Sequence, residues 1–157
     1  MAANANSVTI LIADDDSDDR MMAKEALEEC RLANPVHFVE DGVELLAYLR
    51  CQGPYAAPGS PKQPGLILLD LNMPKMDGRE ALRELKADPA LRRIPIVFMT
   101  TSKAEEDIYR TYDLGVSSYV TKPVTFDALV DVMKTLGRYW FEIVELPESE
   151  GSRGMRP

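Results

Sequence analysis

The sequence holds one histidine, His37, and it lies inside a short apolar stretch. A lone imidazole leaves no partner for a histidine metal site and no base for a nucleophile triad. Packing in a core or at a sheet edge is its expected role. Cysteine is nearly as scarce: Cys30 and Cys51 stand in no CxxC or other metal spacing. That argues against a disulfide scaffold or zinc module, and buried thiols in a reducing, cytoplasmic setting are expected. Positive charge is also short. Lys and Arg number 18 against 26 Asp and Glu, a net charge of -8. A surface this acidic repels phosphate backbones, so nucleic acid is not an expected partner. No apolar run approaches the length of a membrane span. Met1 to Ser7 has neither the basic nor the apolar region of a secretory signal. No membrane contact is expected.

What remains is ordinary globular composition, with 157 residues, enough for one core. Val8 to Ala13 is apolar and β-branched, a buried strand. Ser17 to Leu32 follows with Ala23, Ala26, Leu27 and Cys30 at amphipathic helix spacing, ended by Asn34-Pro35. Val36 to Val39 reads as a second strand. Gly42, Leu45, Leu46 and Leu49 repeat the helical spacing. Gly53 to Gly65 contains Pro54, Pro58, Pro61 and Pro64 and is expected to be a loop without regular structure. Leu66 to Leu71 is a continuous apolar run broken only by Asp70, as suits a parallel strand buried on both faces. Gly78 to Ala87 is helical. Ile94 to Thr101 and Ser118 to Thr121 are the last two strands. Ala104, Ile108 and Tyr112 mark a helix between them, ended by Gly115, with Tyr112 expected in the core. Phe126, Leu129, Val130, Met133 and Leu136 mark the final helix, expected to reach Trp140. Five strands alternating with five helices call for a parallel sheet covered on both faces. Glu142 to Pro157 turns polar, an extended or disordered tail.

The polar residues fall at one kind of place. Asp14 and Asp15 follow the first strand, Asp70 ends the third, Thr100 and Thr101 end the fourth, and Lys122 ends the fifth. In a doubly wound sheet these are all carboxyl ends on one edge, where ligands bind. If the first and third strands are neighbours, three carboxylates converge and repel unless a cation neutralises them. Few hard oxygen ligands suit Mg²⁺. Lys122 adds a point charge and Thr100 a hydroxyl donor. A carboxylate nucleophile, a metal and fixed donors are the equipment of phosphoryl transfer.

Plainer explanations exist for each piece. Asp14 to Asp19 is also what a solvated helix start looks like, with Asp16 or Ser17 as N-cap. Asp18 and Asp19 read as surface helix residues. Asp14, Asp16, Asp18 and Glu25 match ligand positions of a calcium loop, but Asp19 stands where that loop needs glycine and a strand precedes it. Lys122-Pro123 alone could be a helix start. Asp70 is harder to dismiss, because a carboxylate inside a buried apolar run has a poor structural excuse. The joint placement on one edge carries the argument.

At these residues the chain resembles the response regulator receiver family. The likeness rests on ILIADDDSDDR, LILLDLNMPKMDGREAL, RIPIVFMTTS and SYVTKPV, in order and at matching separations, and covers Val8 to Trp140. It implies a flavodoxin-like receiver: a doubly wound five-stranded parallel sheet of order 2-1-3-4-5 with five helices. It also implies a receiver domain over 7–141 and a carboxyl-terminal extension over 142–157. By position, Asp70 matches the phosphorylated aspartate, and Asp14 and Asp15 match the acidic pair that holds Mg²⁺. Asn72 matches the residue whose backbone carbonyl completes the metal shell. Thr100 matches the hydroxyl that swings toward the phosphoryl group. Lys122 matches the lysine that pairs with it, before a cis peptide bond to Pro123. Tyr119 matches the aromatic rotamer switch, though a half-buried strand aromatic explains it equally. The implied protein is a phosphoacceptor switch, not an enzyme, which promotes its own phosphotransfer and dephosphorylation. Its implied partners are a sensor histidine kinase and a downstream protein target or phosphotransfer protein.

Within the family the Pro-rich loop and the ending RYWFEIVELP resemble stand-alone regulators paired with bacterial phytochrome-type kinases. That subgroup implies a bacteriophytochrome partner. In several such relatives the carboxyl extension or the last helix takes part in forming a homodimer. The apolar cluster of Tyr139, Trp140, Phe141, Ile143 and Val144 either serves such an interface or folds back on its own domain. Two rival functions are weaker. A phosphatase of the haloacid-dehalogenase type needs a second aspartate where Asn72 stands. A receiver that only binds proteins would not need the full set of Asp14, Asp15, Asp70, Thr100 and Lys122.

Overall fold

The computed structural model of the chain describes residues 9–30, 34–58, 60–100, 116, 118–123 and 125–137. Five strands form one parallel sheet: β1 (Ile10–Ala13), β2 (Val36–Val39), β3 (Leu66–Asp70), β4 (Ile96–Thr100) and β5 (Ser118–Thr121). Their order is β2-β1-β3-β4-β5, as the resemblance implied. Among the described residues four α-helices flank the sheet: α1 (Ser17–Glu29), α2 (Gly42–Leu49), α3 (Gly78–Ala87) and α4 (Phe126–Leu136). The helix expected between Ala104 and Gly115 lies outside the described residues. So do Val8, Thr101, Tyr112, the Tyr139 to Val144 cluster and the tail.

Alternation along the strands builds two cores. Leu11, Ala13, Ile67, Leu69, Ile96 and Phe98 point to one face, where Leu45, Leu46 and Leu49 of α2 and Ala81, Leu82 and Leu85 of α3 cover them. Ile10, Ile12, Leu66, Leu68, Val97 and Met99 point to the other, against α1 and α4. This is why β3 reads as an unbroken apolar run: all five of its residues are buried. Burying each leucine contributes about 1.5–3 kcal/mol. β2 is an edge strand, and His37 on it is exposed, beside the Tyr48 ring.

Cys51 is exposed and Cys30 half-buried, against the expected burial of both thiols. Several boundaries also differ from the sequence reading: β1 begins at Ile10, α1 ends at Glu29 and α4 ends at Leu136. β4 begins at Ile96, after Pro95, which has no N–H to give the ladder. β3 ends at Asp70, although Leu71 N–H still reaches the Met99 carbonyl. The loop from Gly53 to Gly65 is not wholly irregular. It opens with a single 3₁₀ turn, Gly53–Tyr55, where Pro54 presets the backbone for a tight helical start. The Tyr55 hydroxyl donates to Glu44 Oε2 at 2.6 Å, which ties this turn to α2. Gly65 N–H donates to the Thr9 carbonyl, so the loop rejoins the sheet at the opposite end from Asp70.

Three of the four described helices start on a carboxylate, and Thr125 Oγ1 caps α4. Asp16 caps α1, Asp41 caps α2, and Asp77 caps α3 in a reciprocal capping box with Glu80. Gly78 opens α3 hard against the end of β3. A Cβ there would lie 2.6 Å from the Asp70 carbonyl oxygen and 2.9 Å from Leu71 Cα, both backbone atoms that cannot rotate away. Gly78→Ala is therefore expected to lower stability by about 1–3 kcal/mol, read as a lower urea midpoint with an unchanged slope.

Candidate functional site

The carboxyl ends of β1, β3, β4 and β5 bring the predicted residues together. Asp14 leaves β1 with its N–H donated to the Val39 carbonyl. Its Oδ1 accepts from Asp16 N–H at 3.0 Å. Arg20 Nη1 donates to its backbone carbonyl at 2.9 Å and pins the turn into α1. Asp70, at the end of β3, makes the matching bond: its Oδ1 accepts from Asn72 N–H at 3.1 Å. Both carboxylates are buried, each 5% exposed. Asp15 is exposed at their rim, and ligand atoms of Asp14, Asp15 and Asp70 lie within 4.8 Å of one another.

Lys122 closes the site from the β5 side. Its N–H donates to the Thr100 carbonyl at 2.6 Å, continuing the ladder past β5. Its Nζ contacts Asp14 Oδ2 at 2.7 Å, Asp19 Oδ2 at 2.9 Å and Asp70 Oδ2 at 3.2 Å. Burial works to lower the Lys122 pKa. Hydrogen bonds to Asp14 and Asp19 and the charges of Asp70 and Asp14 outweigh it and hold the ammonium above its ordinary range. For Asp70 burial wins. Its pKa is pushed up to about 6, with the Asp14 charge adding to the rise and Lys122 and the Asn72 N–H pulling against it.

Thr100 is buried at the end of β4, in register with Thr121 and one residue beyond the Asp70–Met99 pair. Tyr119 is half-buried on β5, with its ring edge-on to Phe98 at 6.0 Å. Asn72 is exposed just after β3. One expectation fails: the cis peptide bond among the described residues is Ala57–Pro58, not Lys122–Pro123. An X-Pro amide favours trans by roughly 0.5–1 kcal/mol, and the Lys122–Pro123 bond follows that preference. One residue exceeds expectation. Asp19 is not a mere surface residue of α1 but a third anion on Lys122. Its place in the first helical turn after a strand-end aspartate was the available signal, and helix-start acidity masked it.

The donor set fits a small hard cation. Two buried carboxylates and a third at the rim offer oxygen only, and one ammonium cannot balance them. The proton linkage of Asp70 follows from its raised pKa. Between its ordinary value of 3.8 and about 6 the folded state holds more proton than the unfolded one, so stability falls as pH rises through that window. In metal-free buffer, Asp70→Asn is expected to gain on the wild type from about pH 4 upward. The gain should level off above about pH 6 at roughly 2–3 kcal/mol, read from urea midpoints across the series.

Comparison with known proteins agrees with this geometry. The response regulator receiver domain family matches residues 10–134. Response regulator Rcp1 of Synechocystis sp. is 39% identical over 145 residues, 92% of this chain and 96% of that protein. The crystal structure of the phosphorylated cyanobacterial phytochrome response regulator RcpA shares 42% identity. It superposes with a TM-score of 0.79 over 90% of this chain and 99% of its own. The Mn²⁺-bound form of Rcp1 shares 39% identity with a TM-score of 0.77, over 89% and 99% of the two chains. The sheet order, the clustered strand-end residues and these likenesses together make the chain a member of the response regulator receiver family.

Proposed function

We propose that the protein is a stand-alone phosphoacceptor switch, with Asp70 as its acceptor and a phytochrome-type histidine kinase as its donor. The observation that carries this is the setting of Asp70: a buried carboxylate at a sheet edge, between a second buried carboxylate and an ammonium. In this reading an Asp70 oxygen attacks the phosphorus of a phosphohistidine. The P–O bond forms as the P–N bond breaks, and the electron pair returns to the imidazole, which takes up a proton. Asp14, Asp15, Asp70 and the Asn72 carbonyl would hold Mg²⁺. Bound there, Mg²⁺ offsets charge on the carboxylates and the phosphoryl oxygens. Lys122 meets one phosphoryl oxygen with its ammonium, and the Thr100 hydroxyl donates to another. Tyr119 follows Thr100 as the packing near β4 and β5 changes. RcpA is a phytochrome response regulator, and the span of the likeness to it supports the phytochrome pairing.

The chain acts as a signal transducer that promotes its own phosphotransfer and dephosphorylation. Phosphatase chemistry of the haloacid-dehalogenase type has little support, since an exposed amide, Asn72, stands where the acid would be needed. Among the described residues no helix is long and apolar enough to cross a membrane. The proposed setting is the cytoplasm. The proposed architecture is a receiver over 7–141 with an extension over 142–157 that supports a homodimer. Its readout is a protein target or an onward phosphotransfer protein.

Incubation with acetyl phosphate and a phosphate-affinity gel tests the chemistry. A retarded band is expected for the wild type with Mg²⁺, and it should vanish both on chelation and in Asp70→Asn. An equally retarded band in Asp70→Asn would place the acceptor elsewhere.

A further inference from the structure

Asp14 and Asp70 each commit one oxygen, Oδ1, to a backbone N–H two residues on. The oxygens they leave, Oδ2 in both cases, are the ones Lys122 contacts. A cation entering this site and the resident ammonium therefore compete for the same two atoms. Like charges at such range repel strongly in a poorly solvated site, so the ammonium must move as the cation arrives. Asp19 is the group that can receive it. Its Oδ2 already holds Nζ at 2.9 Å, yet it is not one of the three carboxylates that gather into the cation cluster. At 38% exposure against 7% for Asp14 and Asp70, its side chain stands on the solvent side of the lysine.

Two further features make this arrangement mechanical. Asp16 Oδ1 accepts from Asp19 N–H at 3.0 Å, so the cap of α1 fixes the backbone from which Asp19 reaches out. Beside the lysine stem lies a small cavity of about 30 Å³, bordered by Asp14, Asp19, Lys122, Met22, Met99 and Met133. Unbranched methionine side chains re-pack readily, so the stem has room to re-aim.

We infer that Asp19 is a positioning residue that acts through Lys122: it takes the ammonium when a divalent cation claims Asp14 and Asp70, and so keeps the lysine at the site. This rests on the metal-assisted reading proposed above. Without Asp19 the ammonium has only the two contested oxygens, and cation binding must displace it into water. The coupling between the two residues should then be visible in cation affinity, with no phosphorylation involved.

Calorimetric titration of Mg²⁺ into the full chain tests this in four proteins: wild type, Asp19→Asn, Lys122→Met and the double variant, each checked for an intact thermal transition. Asp19→Asn is expected to weaken Mg²⁺ binding about fivefold in the wild-type background. With Lys122→Met in place, the same change should cost less than about twofold, because no ammonium remains to be received. Asp19→Glu should restore most of the affinity. An equal loss in both backgrounds would mean that Asp19 acts on the ion through its own field, and would overturn the inference. So would wild-type affinity in Asp19→Asn. If the wild type itself bound no Mg²⁺, the metal-assisted reading would fall first, and this inference with it.

Discussion

Lys122 Nζ lies within 3.2 Å of carboxylate oxygens from three separate places: the end of β1, the first turn of α1 and the end of β3. Each such contact is worth about 4 kcal/mol of gross attraction at an effective dielectric of 20. The carboxylates repel one another on the same scale, and Asp15 adds a further negative charge at the rim. One ammonium therefore organises the site without neutralising it. The remaining negative charge is the electrostatic reason that a hard cation fits, while burial, with the Asp14 charge adding to it, makes Asp70 hold its proton more tightly than an ordinary aspartate.

Such a cluster persists only if the backbone beneath it cannot yield. The sheet supplies that rigidity. β1 and β3 pair directly, from Ile10 with Leu66 to Ala13 with Leu69, so Asp14 and Asp70 follow adjacent, registered strand ends. Both faces of those strands are buried. β4 and β5 carry the same register outward to Thr100 and Lys122. Close approach of α3 to β3 at Gly78 then sets the turn that follows Asp70. The chemistry depends on the hydrophobic core through these registers, although no apolar side chain takes part in the proposed transfer.

Much of this was legible in the sequence because each signal was local. LILLDL announces a strand buried on both faces and an acid that packing alone does not explain. Asp14, Thr100 and Lys122 stand at strand ends, and the alternation of elements sends all strand ends of one kind to one edge. Asp19 escaped because its neighbours have an adequate local explanation: acidic residues at a helix start stabilise the helix whatever else they touch. Only its long-range contact with Lys122 distinguishes it. The 3₁₀ turn at Gly53 was lost in a proline-rich stretch whose composition masks one ordered turn. The trans bond before Pro123 shows the limit of reasoning by likeness, since isomer choice depends on tertiary surroundings that a motif does not contain.

The paired bonds from Asp16 N–H to Asp14 and from Asn72 N–H to Asp70 have a consequence for ion selectivity. A carboxylate with one oxygen tied to its own backbone would offer a metal its other oxygen first. Calcium, with six to eight ligands and a preference for a bidentate carboxylate, gains little from such a pair. An octahedral ion that keeps several of its waters needs no more than these single oxygens. Two short-range turns thus leave one oxygen of each carboxylate as the readier ligand, which suits a cation that needs few protein ligands better than one that needs many.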